Sequence, residues 1–151
     1  MKSFQSIQEV LDYAIGQEQQ AYDFYMGLAR NARDIGLVRA LEEFAQEELG
    51  HKARLESVKK GGATLPSSEK IRTLGLAEFV AIIEPSAQME YKDILLLAMQ
   101  KEKYAYALYT RLGDSCPDAA MRKLFHGLAQ EEARHKLRFE LEYDQFVLKD
   151  N

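Results

Sequence analysis

Cysteine, proline and glycine are scarce in this chain, and it contains no long apolar run. Cys116 is the only cysteine, which excludes an internal disulfide, a thiolate zinc site and a four-cysteine iron site within the sequence. No stretch reaches the roughly 18 uninterrupted apolar residues of a transmembrane helix, and the N-terminal segment MKSFQSIQEVLDY lacks the apolar run of a secretory signal. We therefore expect a cytoplasmic protein that does not contact a membrane. The formal net charge of −4 argues against a nucleic-acid-binding surface.

The three prolines and nine glycines leave long stretches with helical periodicity between them. Ser6-x-x-Glu9 predicts a capping box at the start of the first helix, and Gly61-Gly62 predicts the end of the second. The pattern predicts four long helices, from Ser6 to about Arg33, Asp34 to Lys60, Gln88 to Asp114 and Pro117 to Leu148, and a short helix from Leu74 to Ile83. No alternating strand pattern competes with this interpretation. We expect a single all-α domain over residues 1–151.

The sequence contains an internal repeat. A shift of 84 positions aligns residues 14–56 with 98–140 without a gap, and 15 of these 43 positions are identical. Each half therefore predicts one pair of helices. The connection over residues 61–86 is long enough to cross the bundle, so that the second and third long helices run parallel. The predicted fold is a four-helix bundle of two helix pairs joined by a long crossover that contains a short helix.

Each half carries one glutamate on its first helix and a Glu-x-x-His motif on its second. The two sets have the same 30-residue separation between their glutamates, and they are Glu18, Glu48 and His51 in the first half and Glu102, Glu132 and His135 in the second. Residues three apart lie on nearly the same face of a helix and rise by about 4.5 Å, so each motif can direct both side chains at one point. All six residues fall within apolar stripes. The pattern therefore predicts that four carboxylates converge in the core.

Four carboxylates in a core need compensating positive charge, because a buried unpaired carboxylate costs several kcal/mol. No lysine or arginine stands at a matching position of the stripes. Two divalent cations would balance the four charges, and two neutral imidazoles would complete the two sites. A lone Glu-x-x-His motif is better explained as part of a solvated helix face, but that explanation does not cover a duplicated set on apolar stripes. Carboxylate-rich sites with one imidazole per ion suit iron(II) or manganese(II), and the sequence leaves both open.

The six-residue pattern resembles that of the rubrerythrin branch of the ferritin-like superfamily of di-iron carboxylate proteins, over roughly residues 5–148. The resemblance implies that Glu48 and Glu132 bridge two iron ions and that Glu18 and Glu102 bind terminally. It also implies that His51 completes one ion and His135 the other. Members of the family use the reduced di-iron centre to reduce peroxide or dioxygen, or to oxidise iron(II).

Two features depart from the family pattern. Typical rubrerythrins carry a rubredoxin-like tail with four cysteines that delivers electrons, whereas this sequence ends at Asn151 without one. They also carry an extra glutamate three residues after the third-helix ligand, where this chain has Ala105, the counterpart of Ala21. Because that carboxylate is linked in the family to metal movement during peroxide turnover, its absence puts a rubrerythrin-type peroxidase cycle in question and implies a simpler, more symmetric site.

The sequence also allows predictions for other residues near the six candidate ligands. Tyr25 and Tyr109 follow the first-helix glutamates by seven residues on the same face, so their hydroxyls either hydrogen-bond a bridging glutamate on the neighbouring helix or lie among core aromatics. Glu47 and Glu131 are expected to point away from the site into solvent. His126, three residues after a lysine, is expected to be a surface or boundary histidine.

Three functions remain open at this point. The first is a di-iron oxidoreductase that acts on peroxide or dioxygen and takes electrons from an external donor protein. The second is a metal-handling protein that binds and oxidises iron without organic substrate turnover. The third is a non-catalytic helical interaction module whose site is structural. We expect a homodimer rather than a ferritin-type cage, because the sequence offers no obvious fifth long helix or cage-forming signature.

Overall fold

A computed structural model describes residues 3–80 and 89–150. In chain order, its elements are α1 (Ile7–Asn31), α2 (Ile35–Lys59), α3 (Ser68–Thr73), a 3-10 helix (Leu76–Phe79), α4 (Tyr91–Ser115) and α5 (Ala119–Asp150). No strand occurs within the two described ranges. Among the same residues, every helix is too short or too polar to span a bilayer. The predicted all-α class is confirmed.

The ends of α1 and α2 follow their local chemistry. The hydroxyl of Ser6 caps α1 by accepting a hydrogen bond from the backbone N–H of Glu9. The carboxylate of Glu9 accepts from the backbone N–H of Gln5 rather than of Ser6, so only half of the predicted capping box forms. After α2, Gly61 and Gly62 have φ angles of 112° and 96°, which residues with a side chain rarely adopt. The predicted end of the second helix is therefore correct.

The long helices pack as two antiparallel pairs, α1 against α2 and α4 against α5, as the repeat predicts. Their buried apolar side chains form two clusters, one toward each end of the bundle. Each helix passes from one cluster to the other through a polar layer. Along α1, for example, Val10 belongs to the first cluster, Glu18 to the polar layer and Tyr25 to the second cluster. The polar layer therefore has apolar packing on both sides.

The connection between the pairs contains a helix that is absent from the sequence-based prediction. This is α3, whose residue Ile71 is 1% exposed and packs into the first cluster together with Leu76. The short helix predicted over 74–83 is instead a single 3-10 helix at Leu76–Phe79, and residues 81–83 lie outside the described ranges. The third long helix begins at Tyr91, and residue 88, its predicted start, also lies outside them.

Candidate metal centre

The six predicted residues all lie in the polar layer between the two apolar clusters. None is more than 2% exposed, and each of the four long helices contributes at least one of them: Glu18 on α1, Glu48 and His51 on α2, Glu102 on α4, and Glu132 and His135 on α5. They sit near the middle of their helices, where the backbone is fully hydrogen-bonded and the side-chain positions are well defined. The structure therefore brings together the whole set that the repeat predicts.

These residues form two overlapping clusters of ligand atoms. One cluster contains Glu18, Glu48, His51 and Glu132, and the other contains Glu48, Glu102, Glu132 and His135; within each, the ligand atoms lie within 4.8 Å of one another. Glu48 and Glu132 belong to both clusters. The two imidazole rings face each other across the centre, nearly parallel at 11° and with centroids 6.4 Å apart. This arrangement suits two ions that share two carboxylates.

The hydrogen bonding of these side chains gives an independent test of the fit to metal ions. Within the described part of the chain, one oxygen of each of the four glutamates has no hydrogen-bond partner, and neither has Nδ1 of either histidine. Nδ1 of His51 lies 3.0 Å from Glu132 Oε1, and Nδ1 of His135 lies 3.6 Å from Glu102 Oε2. Buried polar atoms are rarely left without partners. A metal ion in each cluster would satisfy these atoms, so the residues fit a di-metal site.

Two tyrosines connect the halves of the molecule. Tyr109 donates a hydrogen bond of 2.6 Å to Glu18 Oε1, and Tyr25 donates to Glu102 Oε1. The hydroxyls do bind carboxylates on another helix, but the predicted partner, a shared glutamate, is wrong. Each hydroxyl instead binds the first-helix glutamate of the opposite half. Burial and then the nearby carboxylates raise the pKa of both phenols well above its usual value, so both remain protonated donors.

Glu47 and Glu131 correct a sequence-based prediction, because they do not simply point into solvent. Glu131 Oε1 lies 3.3 Å from Nε2 of His51, and Glu47 Oε1 lies 3.3 Å from Nε2 of His135. Their side chains are 30% and 19% exposed. Each carboxylate thus reaches across from the opposite helix pair to the outer nitrogen of an imidazole. The reason is that side chains of α2 and α5 meet across the centre, which periodicity along one helix does not reveal.

Arginines hold these two carboxylates in turn. Arg54 Nη1 lies 3.2 Å from Glu131 Oε2, and Arg134 Nη2 donates to Glu47 Oε1. The result is a chain of contacts from arginine to carboxylate to imidazole on each side of the centre. Carboxylates in this position fix the ring orientation and the tautomer of a metal-binding histidine. The sequence contained a signal for them, since Glu47 and Glu131 are repeated next to the Glu-x-x-His motifs.

The charges of the site shift its pKa values strongly. Burial and the neighbouring carboxylates raise the pKa of Glu48 and of Glu132 well above its usual value. Burial by itself would lower the pKa of His51, but its close contacts with Glu132 and Glu18 and their negative charges outweigh burial and raise the pKa to about 11. Without metal ions, the site therefore retains protons. Metal cations that displace those protons would neutralise the charge of the same carboxylates.

A small cavity lies beside the carboxylates, between α1 and α4. Its volume is about 40 Å³, and its walls include Gln17, Ala21, Lys101, Tyr104 and Ala105 as well as site glutamates. Ala21 and Ala105 are the repeat-related residues three positions after Glu18 and Glu102. Their short side chains leave this space open next to the centre. A small molecule in the cavity would be adjacent to both ligand clusters.

Comparison with known proteins decides the family. The model of the Rubrerythrin family matches residues 9–143. The chain belongs to the rubrerythrin family. The family assignment confirms the resemblance predicted from the six residues, and together with the buried cluster it establishes a metal-binding protein whose site suits two ions.

Other comparisons add information about the fold of this rubrerythrin-family chain. None of the curated proteins matches it. Among solved structures, "Hypothetical Protein Pfu-1136390-001 From Pyrococcus furiosus" is similar, with a TM-score of 0.69 and 23% sequence identity over 94% of this chain and 90% of that one. At this level of identity, the similarity supports the shared fold alone.

The third histidine lies apart from the metal centre of this rubrerythrin-family chain. Nε2 of His126 contacts Asp114 Oδ1 at 2.8 Å, and the imidazole side chain is 38% exposed. This agrees with the prediction of a boundary histidine. It leaves His51 and His135 as the two imidazoles of the centre.

Proposed function

We propose that this protein binds two iron ions and uses them to reduce peroxide or dioxygen. The observation that carries the proposal is that Glu48 and Glu132 belong to both ligand clusters. Two shared carboxylates suit a pair of ions held close together, whereas separate ligand sets would suit two independent ions. Manganese(II) takes similar ligands, so metal analysis has to distinguish iron from manganese.

When bound, two iron(II) ions supply two electrons, which with two protons convert one molecule of hydrogen peroxide into two molecules of water. Every further cycle needs two more electrons. The single cysteine of the sequence cannot hold an iron–sulfur or rubredoxin-type centre. We therefore propose that an external donor protein supplies the electrons.

The residues of the chain position the ligands and exclude bulk water. The six ligand side chains are at most 2% exposed. Tyr25 and Tyr109 each hold one oxygen of a terminal carboxylate and leave the other oxygen facing a cluster. Glu47 and Glu131 lie at the outer nitrogens of the two imidazoles, so that Nδ1 of each ring is directed at the carboxylates.

The cavity beside the carboxylates has room for a small substrate next to the ligands. One water molecule needs roughly 10–15 Å³ of such space, so a cavity of about 40 Å³ holds a molecule of two or three heavy atoms. Hydrogen peroxide and dioxygen both fit this volume. Ala21 and Ala105 keep the space open, because a longer side chain at either position would extend into it.

The first test is metal content per chain, measured by mass spectrometry before and after anaerobic loading with iron(II). We expect close to two iron ions per chain, and a large loss in the double variant Glu48→Ala/Glu132→Ala. The matched control is Glu56→Ala/Glu140→Ala, which removes another repeat-related pair of glutamates that lies outside the buried centre. Little iron in the unmodified protein after loading would refute the proposal.

A turnover assay then separates the proposed reaction from metal handling. Metal handling is the second candidate. Ala105 stands where the family carries the extra glutamate that is linked to peroxide turnover, so the surroundings of Glu18 and Glu102 are alike. The reduced, iron-loaded protein is mixed with hydrogen peroxide and a chemical reductant. Consumption of many peroxide molecules per chain supports reduction. A single round that leaves oxidised iron on the protein supports metal handling instead.

A further inference from the structure

Because of the repeat, the two halves of the centre are nearly identical. The residues that surround the two imidazoles nevertheless differ between the halves. The ligands, the two tyrosines and the two outer glutamates all have identical counterparts 84 positions away. Several buried positions do not, and two of these pairs differ in having a phenylalanine in one half and a leucine in the other on the side of the imidazoles. Phe44 in the first half corresponds to Leu128 in the second, and Phe139 in the second corresponds to Leu55 in the first. All four side chains are at most 5% exposed.

Both aromatic residues of this set lie on the same side of the centre. The ring of Phe44 stacks on the imidazole of His135, with centroids 4.1 Å apart and planes at 27°. Phe139 packs edge-on against Phe44 at 6.0 Å and also contacts Tyr25 at 5.3 Å. On the outer side, the guanidinium of Arg134 lies 5.8 Å from the centre of the Phe44 ring. His135 is therefore part of an ordered aromatic stack.

Among residues 3–80 and 89–150, no aromatic side chain stacks on His51 in the way that Phe44 stacks on His135. Leu128 and Leu55 stand at the two positions that correspond to the phenylalanines, and both belong to the first apolar cluster. Gly50 stands where Arg134 stands in the other half. Flexible aliphatic side chains do not constrain the plane of an imidazole as a stacked ring does. The outer carboxylates do not compensate, because each histidine has one.

We propose that the two metal positions are inequivalent, and that the position completed by His135 binds its ion first because Phe44 holds that imidazole in its binding orientation. This inference rests on the proposed function, since it requires two ions at the site. A stacked aromatic pair stabilises its geometry enough to change a binding constant by about two- to tenfold. We therefore expect the first ion to bind His135 with an affinity about two- to tenfold above that for His51.

Histidine NMR can observe the order of binding directly, with zinc(II) as a diamagnetic probe. The sequence contains only three histidines, so the ring signals of His51, His126 and His135 can be assigned individually. Metal-free protein labelled with ¹⁵N-histidine is titrated with zinc(II) up to two equivalents. We expect the His135 ring to respond mainly in the first equivalent and the His51 ring mainly in the second. His126 lies outside both ligand clusters and serves as the internal control.

Two variants test the cause of the order. Phe44→Leu makes the two halves alike at this position, so we expect both rings to respond together. Phe125→Leu is the matched control, because it removes a fully buried ring that is absent from the stack on His135, and the order should persist. Parallel responses in the unmodified protein, His51 first, or an unchanged order in Phe44→Leu would each overturn the inference. A failure of both rings to respond to two equivalents of zinc(II) would count against the di-metal site itself.

Discussion

The site glutamates on α1 and α4 use their two carboxylate oxygens for different purposes. In Glu18, Oε1 accepts a hydrogen bond from Tyr109 at 2.6 Å, while Oε2 has no hydrogen-bond partner among the described residues and lies 3.3 Å from Nδ1 of His51. Glu102 is divided in the same way by Tyr25. The hydroxyl groups therefore determine which oxygen is left for an ion, and they stabilise a carboxylate that would otherwise be buried with no donor.

Replacing either tyrosine by phenylalanine should weaken metal binding without removing the ring from the core. In Tyr109→Phe, one oxygen of Glu18 loses its donor and the carboxylate can rotate, so we expect the affinity for iron(II) or zinc(II) to fall about 10- to 100-fold. Competition with a chelating dye measures this affinity. Tyr106→Phe is the control, because Tyr106 lines an outer groove rather than the centre, and it should bind normally. Equal affinities of Tyr109→Phe and the unmodified protein would contradict the prediction.

The outer carboxylates act on the imidazoles in a similar way. Glu131→Gln removes the negative charge 3.3 Å from Nε2 of His51 but keeps the size of the side chain. A neutral amide makes the imidazole a weaker base, so we expect metal affinity to fall about tenfold. The same dye competition measures it, and Glu56→Gln, on the exposed face of α2, should have no effect. The prediction fails if Glu56→Gln and Glu131→Gln bind metal equally well.

At the scale of secondary-structure elements, close helix–helix contact depends on small residues at a few positions. Gly113, near the end of α4, is buried beneath the ring of His126 on α5. A Cβ atom at Gly113 would lie 2.6 Å from His126 Nε2, well inside van der Waals contact. The glycine therefore allows the imidazole to lie across α4 and reach Asp114.

A double-mutant cycle can measure this contact. Alanine favours a helix over glycine by about 1 kcal/mol, so Gly113→Ala should raise the free energy of unfolding by about 0.5–1 kcal/mol in a His126→Ala background. When His126 is present, the Cβ atom of Gly113→Ala forces the imidazole ring to move and to lose its contact with Asp114. We therefore expect the gain in stability to disappear or reverse in this background. Urea denaturation of the four proteins gives the coupling energy. The same effect of Gly113→Ala in both backgrounds would show that the ring moves at no cost.

At the scale of the whole molecule, the bundle places a layer of four carboxylates between two apolar clusters. Metal-free protein compensates by retaining protons on this layer. Because the pKa of His51 rises to about 11 in the folded state, against about 6.5 in an unfolded chain, the stabilisation from protonated His51 is complete below about pH 6.5 and is lost as the pH rises toward 11. The raised pKa values of Glu48 and Glu132 act in the same direction.

The metal-free protein should therefore become less stable between pH 7 and pH 9. In this interval, the folded state binds more protons than the unfolded chain, so the free energy of unfolding should fall by about 1.4 kcal/mol per pH unit for each fully retained proton. Urea denaturation in the presence of a chelator measures the slope. Saturation with zinc(II) should displace the protons and flatten it, and metal affinity should rise with pH. A metal-free protein with constant stability over this interval would contradict the prediction.

The sequence by itself determined the class of fold and which residues form the site. Helical periodicity and the repeat fix which residues lie on one face of each helix, because those relations are local and recur every three or four residues. The same logic placed Glu18 and Glu102 among apolar residues and aligned each Glu-x-x-His pair. Charge balance then pointed to two metal ions, since buried carboxylates without cations are costly.

Only the tertiary structure decided which side chains meet across the bundle. Tyr25 pairs with Glu102, and Glu131 with His51, over separations of 77 and 80 positions in the sequence. The same applies to α3, whose apolar residue Ile71 is buried only because the two helix pairs offer it a cluster. These contacts depend on how one helix pair docks against the other. That geometry is set by the packing of many side chains together, and no pattern within a single helix contains it.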